Sequence, residues 1–222
     1  MAENSRGAGV TTSQLIVGPA VLTFGLVLLR LVGDLKRWPM PWFNSAQGGA
    51  GALIGIVWLP FIFGPYFAFR VRFQIVSPSN MKKWVAYPVI GSAVSTAGVL
   101  AGHATGLPAF ARLLLPVLGF ALGAGIQYLA WPAFIKVLLA YGYAARIPVV
   151  AVALLAMRHN WASHYNAYPS YLPAMSFWPK FFLTVVLPQL VGWVGYTVVG
   201  GSLTAALASA LLRERSSELA RQ

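Results

Sequence analysis

From Gln14 to Gly33 the chain runs for about 20 residues with Arg30 as its sole charge, which is the length of helix needed to cross a hydrocarbon layer roughly 30 Å thick. The pattern recurs. Apolar runs at Leu15–Gly33, Gly49–Phe69, Trp84–Gly102, Ala109–Ala130, Ala133–Met157 and Phe181–Leu212 mark six candidate spans. Hydrophobic residues make up 58% of the 222 positions and charged ones 9%, so a water-soluble globule would lack the polar surface to cover its apolar atoms. Disorder needs the opposite composition. Lipid offers backbone groups no hydrogen-bond partners, and no alternating strand pattern is visible, so the spans are expected to be helical. The expected fold is all-α: a polytopic membrane helix bundle of about six transmembrane helices forming one integral membrane domain over residues 1–222.

The first run ends at Asp34 and the basic Lys36 and Arg37, not at a small-residue cleavage site, and reads as a retained span rather than a signal segment. The last run is long enough to tilt or to leave the bilayer near Leu207–Leu212. Between residues 113 and 157 only Trp131-Pro132 marks a break, because proline restricts the residue before it. Six spans place Arg6, Arg70, Arg72, Lys82, Lys83, Arg213, Arg215 and Arg221 on one side, joined by Lys136 if it snorkels. Arg30, Lys36, Arg37, Arg112, Arg158 and Lys180 fall on the other. The positive-inside bias then puts both termini in the cytoplasm. Compactness and the lack of glycosylation sequons suggest a bacterial inner (plasma) membrane.

The net charge of +12 punctuates apolar runs and forms no patch, so the expected partners are membrane lipids and not nucleic acid. Arg70, Arg72, Lys82 and Lys83 are candidate contacts for anionic headgroups on the cytoplasmic side. Trp38, Trp42, Trp84, Trp131, Trp161 and Trp178 lie near span ends, as an interfacial belt requires, whereas Trp58 and Trp193 read as mid-span. Glycines at four-residue spacing (Gly51 and Gly55; Gly98, Gly102 and Gly106; Gly119 and Gly123) predict close helix packing, within the bundle or against a protein partner or second copy. Prolines 19, 60, 65, 88, 116, 148 and 188 fall in or beside the spans; the Pro60–Pro65 stretch is the foremost candidate for a broken helix.

Arg146 is the most informative residue for function. It lies near the middle of the fifth span, where a charge is expensive and functional by default. The spans supply no Asp or Glu to pair with it, since Asp34, Glu214 and Glu218 fall outside them. Its candidate partners are Gln127, Gln189, Tyr141 and Tyr196, with Lys136 nearby, or a bound anionic group of a lipid or solute. The shortage of carboxylates argues against a carboxylate-driven pump, an acid-ring cation channel or a paired-carboxylate hydrolase. No catalytic set is recognisable: there is no cysteine, and Ser163-His164 lacks an acid. His103, His159 and His164 are the sole candidate metal set. The last two stand five apart and share no helical face, and no metal or other cofactor is expected. The loop from Arg158 to Lys180, rich in aromatics and proline, suits anchoring at headgroup level, lidding a cavity or docking a partner. These features point to an accessory, assembly or lipid-binding membrane component, with a solute or anion transporter as the alternative and a lipid-directed metalloenzyme third.

Overall fold

The computed structural model describes residues 11–46, 49, 51–74, 78, 80–166 and 168–219, the side chains of 72–74 and 212–219 excepted. The chain is an all-helical membrane bundle; no strand occurs among these residues. Its helices are α1 (Thr12–Leu35), α2 (Leu59–Gln74), α3 (Met81–Gly102), α4 (Ala109–Tyr128) and α5 (Pro132–Arg158). A final rod follows, made of α6 (Phe177–Phe181), two wide π turns (Phe182–Val186 and Pro188–Gly192) and α7 (Trp193–Leu219). Five helical stretches are long and apolar enough to cross a membrane: α1, α3, α4, α5 and Phe177–Leu211. A capping box between Thr11 and Gln14 starts α1, and the Asn80 side chain caps α3.

The second span differs from the sequence expectation of Gly49–Phe69. Its helix begins only at Leu59, with Pro60 in the first turn where a missing N–H does no harm, and continues to Gln74. At 16 residues it rises about 24 Å, short of a full hydrocarbon crossing. Residues 51–58 form turns and bends instead. Gly49 and Gly51 stand at φ +58° and +78°, left-handed values that glycine tolerates and a helix does not contain. The break therefore lies upstream of Pro60, while Pro65 sits inside α2. Gly51 and Gly55 are not on a helix face, and Gly106, at φ +81°, belongs to the connection after α3.

Two apolar clusters fix the topology. One gathers Leu15 of α1, Phe67 and Val71 of α2, Trp84 of α3, Ala130 after α4, Phe134 of α5 and Ala205 of α7. The other gathers Val27 late in α1, Val149 to Met157 late in α5, Tyr165 of the following loop, and Phe181 and Val185 of the final rod. Successive helices thus run in alternating directions, and the start of α1 and the end of α7 share one face of the bundle. Trp84 and Trp131 are not belt residues: both are buried, edge to face with centroids 4.9 Å apart, and both pack on Phe134. Trp58 is exposed at the mouth of α2, not mid-span. Trp38, Trp42 and Trp178 are exposed near helix ends.

Helices α3 and α4 pack backbone to backbone through the glycines. A Cβ added at Gly98 would lie 2.7 Å from the Gly119 Cα, and one at Gly123 would lie 2.5 Å from the Gly91 carbonyl oxygen. Ser95 Oγ bridges the pair, donating to Gly91 O (2.9 Å) with Gly119 O at 3.2 Å. Gly98, Gly102, Gly119 and Gly123 are therefore engaged inside the bundle.

Candidate functional site

A cavity of about 590 Å³ opens in the half of the bundle away from the start of α1 and the end of α7, among α1, α5, residues 49 and 51–57, His164, Tyr165, Pro169 and the π-turn segment. The volume suits a small molecule or the end of a lipid. Its wall is largely apolar (Leu26, Val27, Ile56, Val149, Ala153, Val185), set with a few polar groups. Wide π turns displace residues from the regular helical register and recur at functional sites. Here they carry Thr184 and Gln189 at the wall, and Trp193 follows at the start of α7.

Arg146 projects into this cavity from midway along α5. It is 5% exposed. Its Nη1 donates to Gln189 Oε1 at 3.3 Å, and its guanidinium carbon stands 4.7 Å from the centre of the Trp193 ring. Its Nε is buried with no hydrogen-bond partner. Neither ion pair among the described residues involves Arg146. A buried guanidinium with spare donors and no counter-charge is unstable on its own and favours an anion from outside the chain.

Asp34 lies inside the bundle, contrary to the sequence reading that left it outside the spans. It closes α1 and is 1% exposed. Its Oδ1 is 3.2 Å from Arg30 Nε, and its Oδ2 accepts from the His164 backbone N–H at 3.1 Å and meets His164 Nδ1. The histidine therefore does have a carboxylate beside it. Arg30 is spent on structure: it donates to the carbonyls of Ile54 (2.7 Å), Asn44 (2.7 Å) and Gly49 (3.1 Å). That clamp supplies partners to carbonyls of a non-helical loop, which a lipid environment could not. Nearby, Tyr165 donates to the Val27 carbonyl at 3.4 Å; burial raises its phenol well above the ordinary value and the Asp34 carboxylate adds to the shift. The one hint in the sequence was the four-residue spacing of Arg30 and Asp34, which stacks them on one helix face.

The other sequence candidates disperse. Gln189 joins Arg146 directly. Tyr196 packs edge-on against Trp193 (5.1 Å) and donates to the Val57 carbonyl at 2.9 Å, which ties α7 to the loop before α2. Tyr141 pairs with the Thr23 hydroxyl at 2.9 Å. Gln127 is buried in the α3–α4 seam, reaching Pro88 O at 3.4 Å. Lys136 is exposed in the first turns of α5. Arg70, Lys82 and Lys83 are exposed, and the Arg72 side chain lies outside the described residues. His103 bonds the Val99 carbonyl and lines a second, smaller cavity, His159 stacks on Trp161, and only His164 faces the Arg146 cavity. Among the described residues no three His, Asp or Glu side chains gather as a metal-binding group.

No family model matches this chain, and no curated protein or solved structure does either.

Proposed function

We propose that the chain is a membrane-embedded binding component whose internal cavity holds an anionic amphiphile, with the anion on Arg146 and the hydrocarbon along the apolar wall. The observation that carries this reading is the buried Arg146 guanidinium, with Gln189 as its sole hydrogen-bond partner among the described residues, in a mostly apolar cavity. Arg is suited to carboxylate and phosphate oxygens through its planar fork of donors. The exposed Arg70, Lys82 and Lys83 support contact with anionic headgroups at the other face. With the positive-inside bias, that face and both termini are cytoplasmic, and the cavity lies toward the opposite side of a bacterial plasma membrane.

The test uses the full chain in nanodiscs of neutral phosphatidylcholine, titrated with laurate, dodecyl phosphate and uncharged dodecanol. Arg146→Gln removes a charge-assisted contact worth about 1.5–3 kcal/mol, so the two anions should bind roughly 10- to 100-fold more weakly. Dodecanol should be unaffected. Anion affinities unchanged in Arg146→Gln refute the reading. A transporter is the second reading, favoured by the non-helical 51–58 segment and the π turns lining the same cavity. Anion-dependent flux in proteoliposomes, lost in Arg146→Gln, distinguishes it from a binding component.

A further inference from the structure

We infer that the second, smaller cavity is a separate site for an anionic phospholipid of the surrounding membrane, with the headgroup on Arg112 and one acyl chain in the groove below it. This does not depend on Arg146 holding an anion. The site begins with the register of two elements that run in the same direction. On α4, Arg112, Leu113, Pro116, Val117 and Phe120 line the cavity, and their spacing puts them on one helix face over about 12 Å. On the final rod, Pro188, Gly192, Trp193 and Tyr196 line it from the other side. At the deep end the two backbones touch: a Cβ added at Gly195 would lie 2.7 Å from the Phe120 carbonyl oxygen. The Phe120 and Tyr196 rings close that end edge to face, with centroids 5.5 Å apart. At Gly192, three residues earlier, the nearest atom is Val117 Cγ2 at 3.4 Å, an ordinary contact. Between that point and Arg112 lies a cavity of about 350 Å³.

The charged end sits where the helices end. Arg112 is near the start of α4, and His103 caps the end of α3. The Arg112 guanidinium carbon stands 4.4 Å from the centre of the Tyr171 ring. Its Nε is buried with no hydrogen-bond partner, and neither ion pair among the described residues involves it. A guanidinium without a counter-charge, above an apolar groove and at headgroup level, matches a lipid in both charge and direction. Inorganic phosphate would satisfy Arg112 but leave the groove without an apolar occupant. Arg112, Leu113 and Phe120 are only partly buried and Tyr171 is exposed, so the groove opens sideways and its lipid exchanges with the bilayer. Pro188 and Trp193 also line the Arg146 cavity, but no α4 residue does. Contacts to α4 therefore report this site alone.

The experiment places the full chain in nanodiscs of phosphatidylglycerol and phosphatidylcholine, with a photoreactive acyl chain carried by one lipid or the other at equal mole fraction. Cross-linked peptides are mapped by mass spectrometry. In wild type, residues 113–120 should be labelled roughly fivefold more by the phosphatidylglycerol probe, the effect of one basic residue near a membrane surface. Arg112→Gln should bring that ratio to one, and Arg146→Gln should leave it unchanged. Leu113→Trp, which fills the groove and keeps Arg112, should lower labelling of residues 116–120 by both probes. If Leu113→Trp fails to fold, the ratio in Arg112→Gln decides alone. Equal labelling by the two probes in wild type, or a preference that survives Arg112→Gln, overturns the inference. So does labelling that a folded Leu113→Trp leaves unchanged. A preference lost in Arg146→Gln and kept in Arg112→Gln puts the lipid in the other cavity and overturns it as well. Displacement of the probe by inorganic phosphate overturns the lipid assignment.

Discussion

Replacing Asp34 with alanine should destabilise the protein far more than a loop carboxylate would. An exposed i,i+4 ion pair contributes about 0.3–0.5 kcal/mol. The Arg30 and Asp34 side chains, however, are 6% and 0% exposed, and removing one partner of a buried pair costs about 3–5 kcal/mol because the other charge stays behind unpaired. Asp34→Ala also takes away the acceptor for the His164 backbone N–H. The expected loss is therefore at least roughly 3 kcal/mol. The assay is unfolding of the full chain in mixed micelles by SDS titration, followed by tryptophan fluorescence. Arg30→Met should be similarly damaging, since it frees three loop carbonyls as well as Asp34. The Asp34→Ala/Arg30→Met double variant should lose less than the sum of its singles, with a coupling of about 0.5–3 kcal/mol. A loss below about 1 kcal/mol for Asp34→Ala, the surface-pair range, together with additive singles, refutes the buried triad of Arg30, Asp34 and His164.

Further outcomes follow from packing and charge. Gly98→Leu should lower stability by about 1–3 kcal/mol or more, because it overpacks the backbone of Gly119 across the α3–α4 seam. Gly25→Ala in α1, with nothing within 4 Å of the new Cβ, should be neutral or stabilising by up to about 1 kcal/mol through helix propensity. Thermal unfolding monitored by circular dichroism measures both. The raised phenol of Tyr165 means the native state holds that proton more firmly than the unfolded chain. Its contribution is complete below the ordinary value of 10.0 and is lost as pH rises beyond it toward the folded value. Stability of the wild type should therefore fall more steeply above pH 10.0 than that of Tyr165→Phe, measured by the same unfolding assay across a pH series.

The membrane helices were legible because hydropathy reports the solvent directly. Runs as long as those of α1, α3, α4 and α5 have one economical structure in hydrocarbon. The 49–58 stretch misled for the same reason. Its residues are apolar enough for a span, but left-handed glycines and the Arg30 clamp give them a loop that is partly exposed. Hydropathy cannot separate an apolar helix from an apolar loop whose carbonyls are met by a buried side chain such as Arg30. Asp34 was hidden by its position at the edge of a run, where a carboxylate ordinarily faces water. Its partner His164 is 130 residues distant in sequence, and no periodicity records such a pairing. Arg146 stood out because a lone charge in an apolar run is conspicuous at any register. Of its candidate partners, only the π-turn geometry decides that Gln189 faces it, while Gln127 turns to α3. The glycine stripes of α3 and α4 were readable as close packing, and the fold settles which helices they join.

The proposed function turns on whether the cavity around Arg146 takes an anion. Native mass spectrometry of the full chain, gently solubilised from its membrane and compared with Arg146→Gln purified in parallel, asks this without choosing a ligand in advance. A stoichiometric anionic amphiphile retained by the wild type and absent from a folded Arg146→Gln is the predicted result. Identical adduct spectra for the two proteins would contradict it.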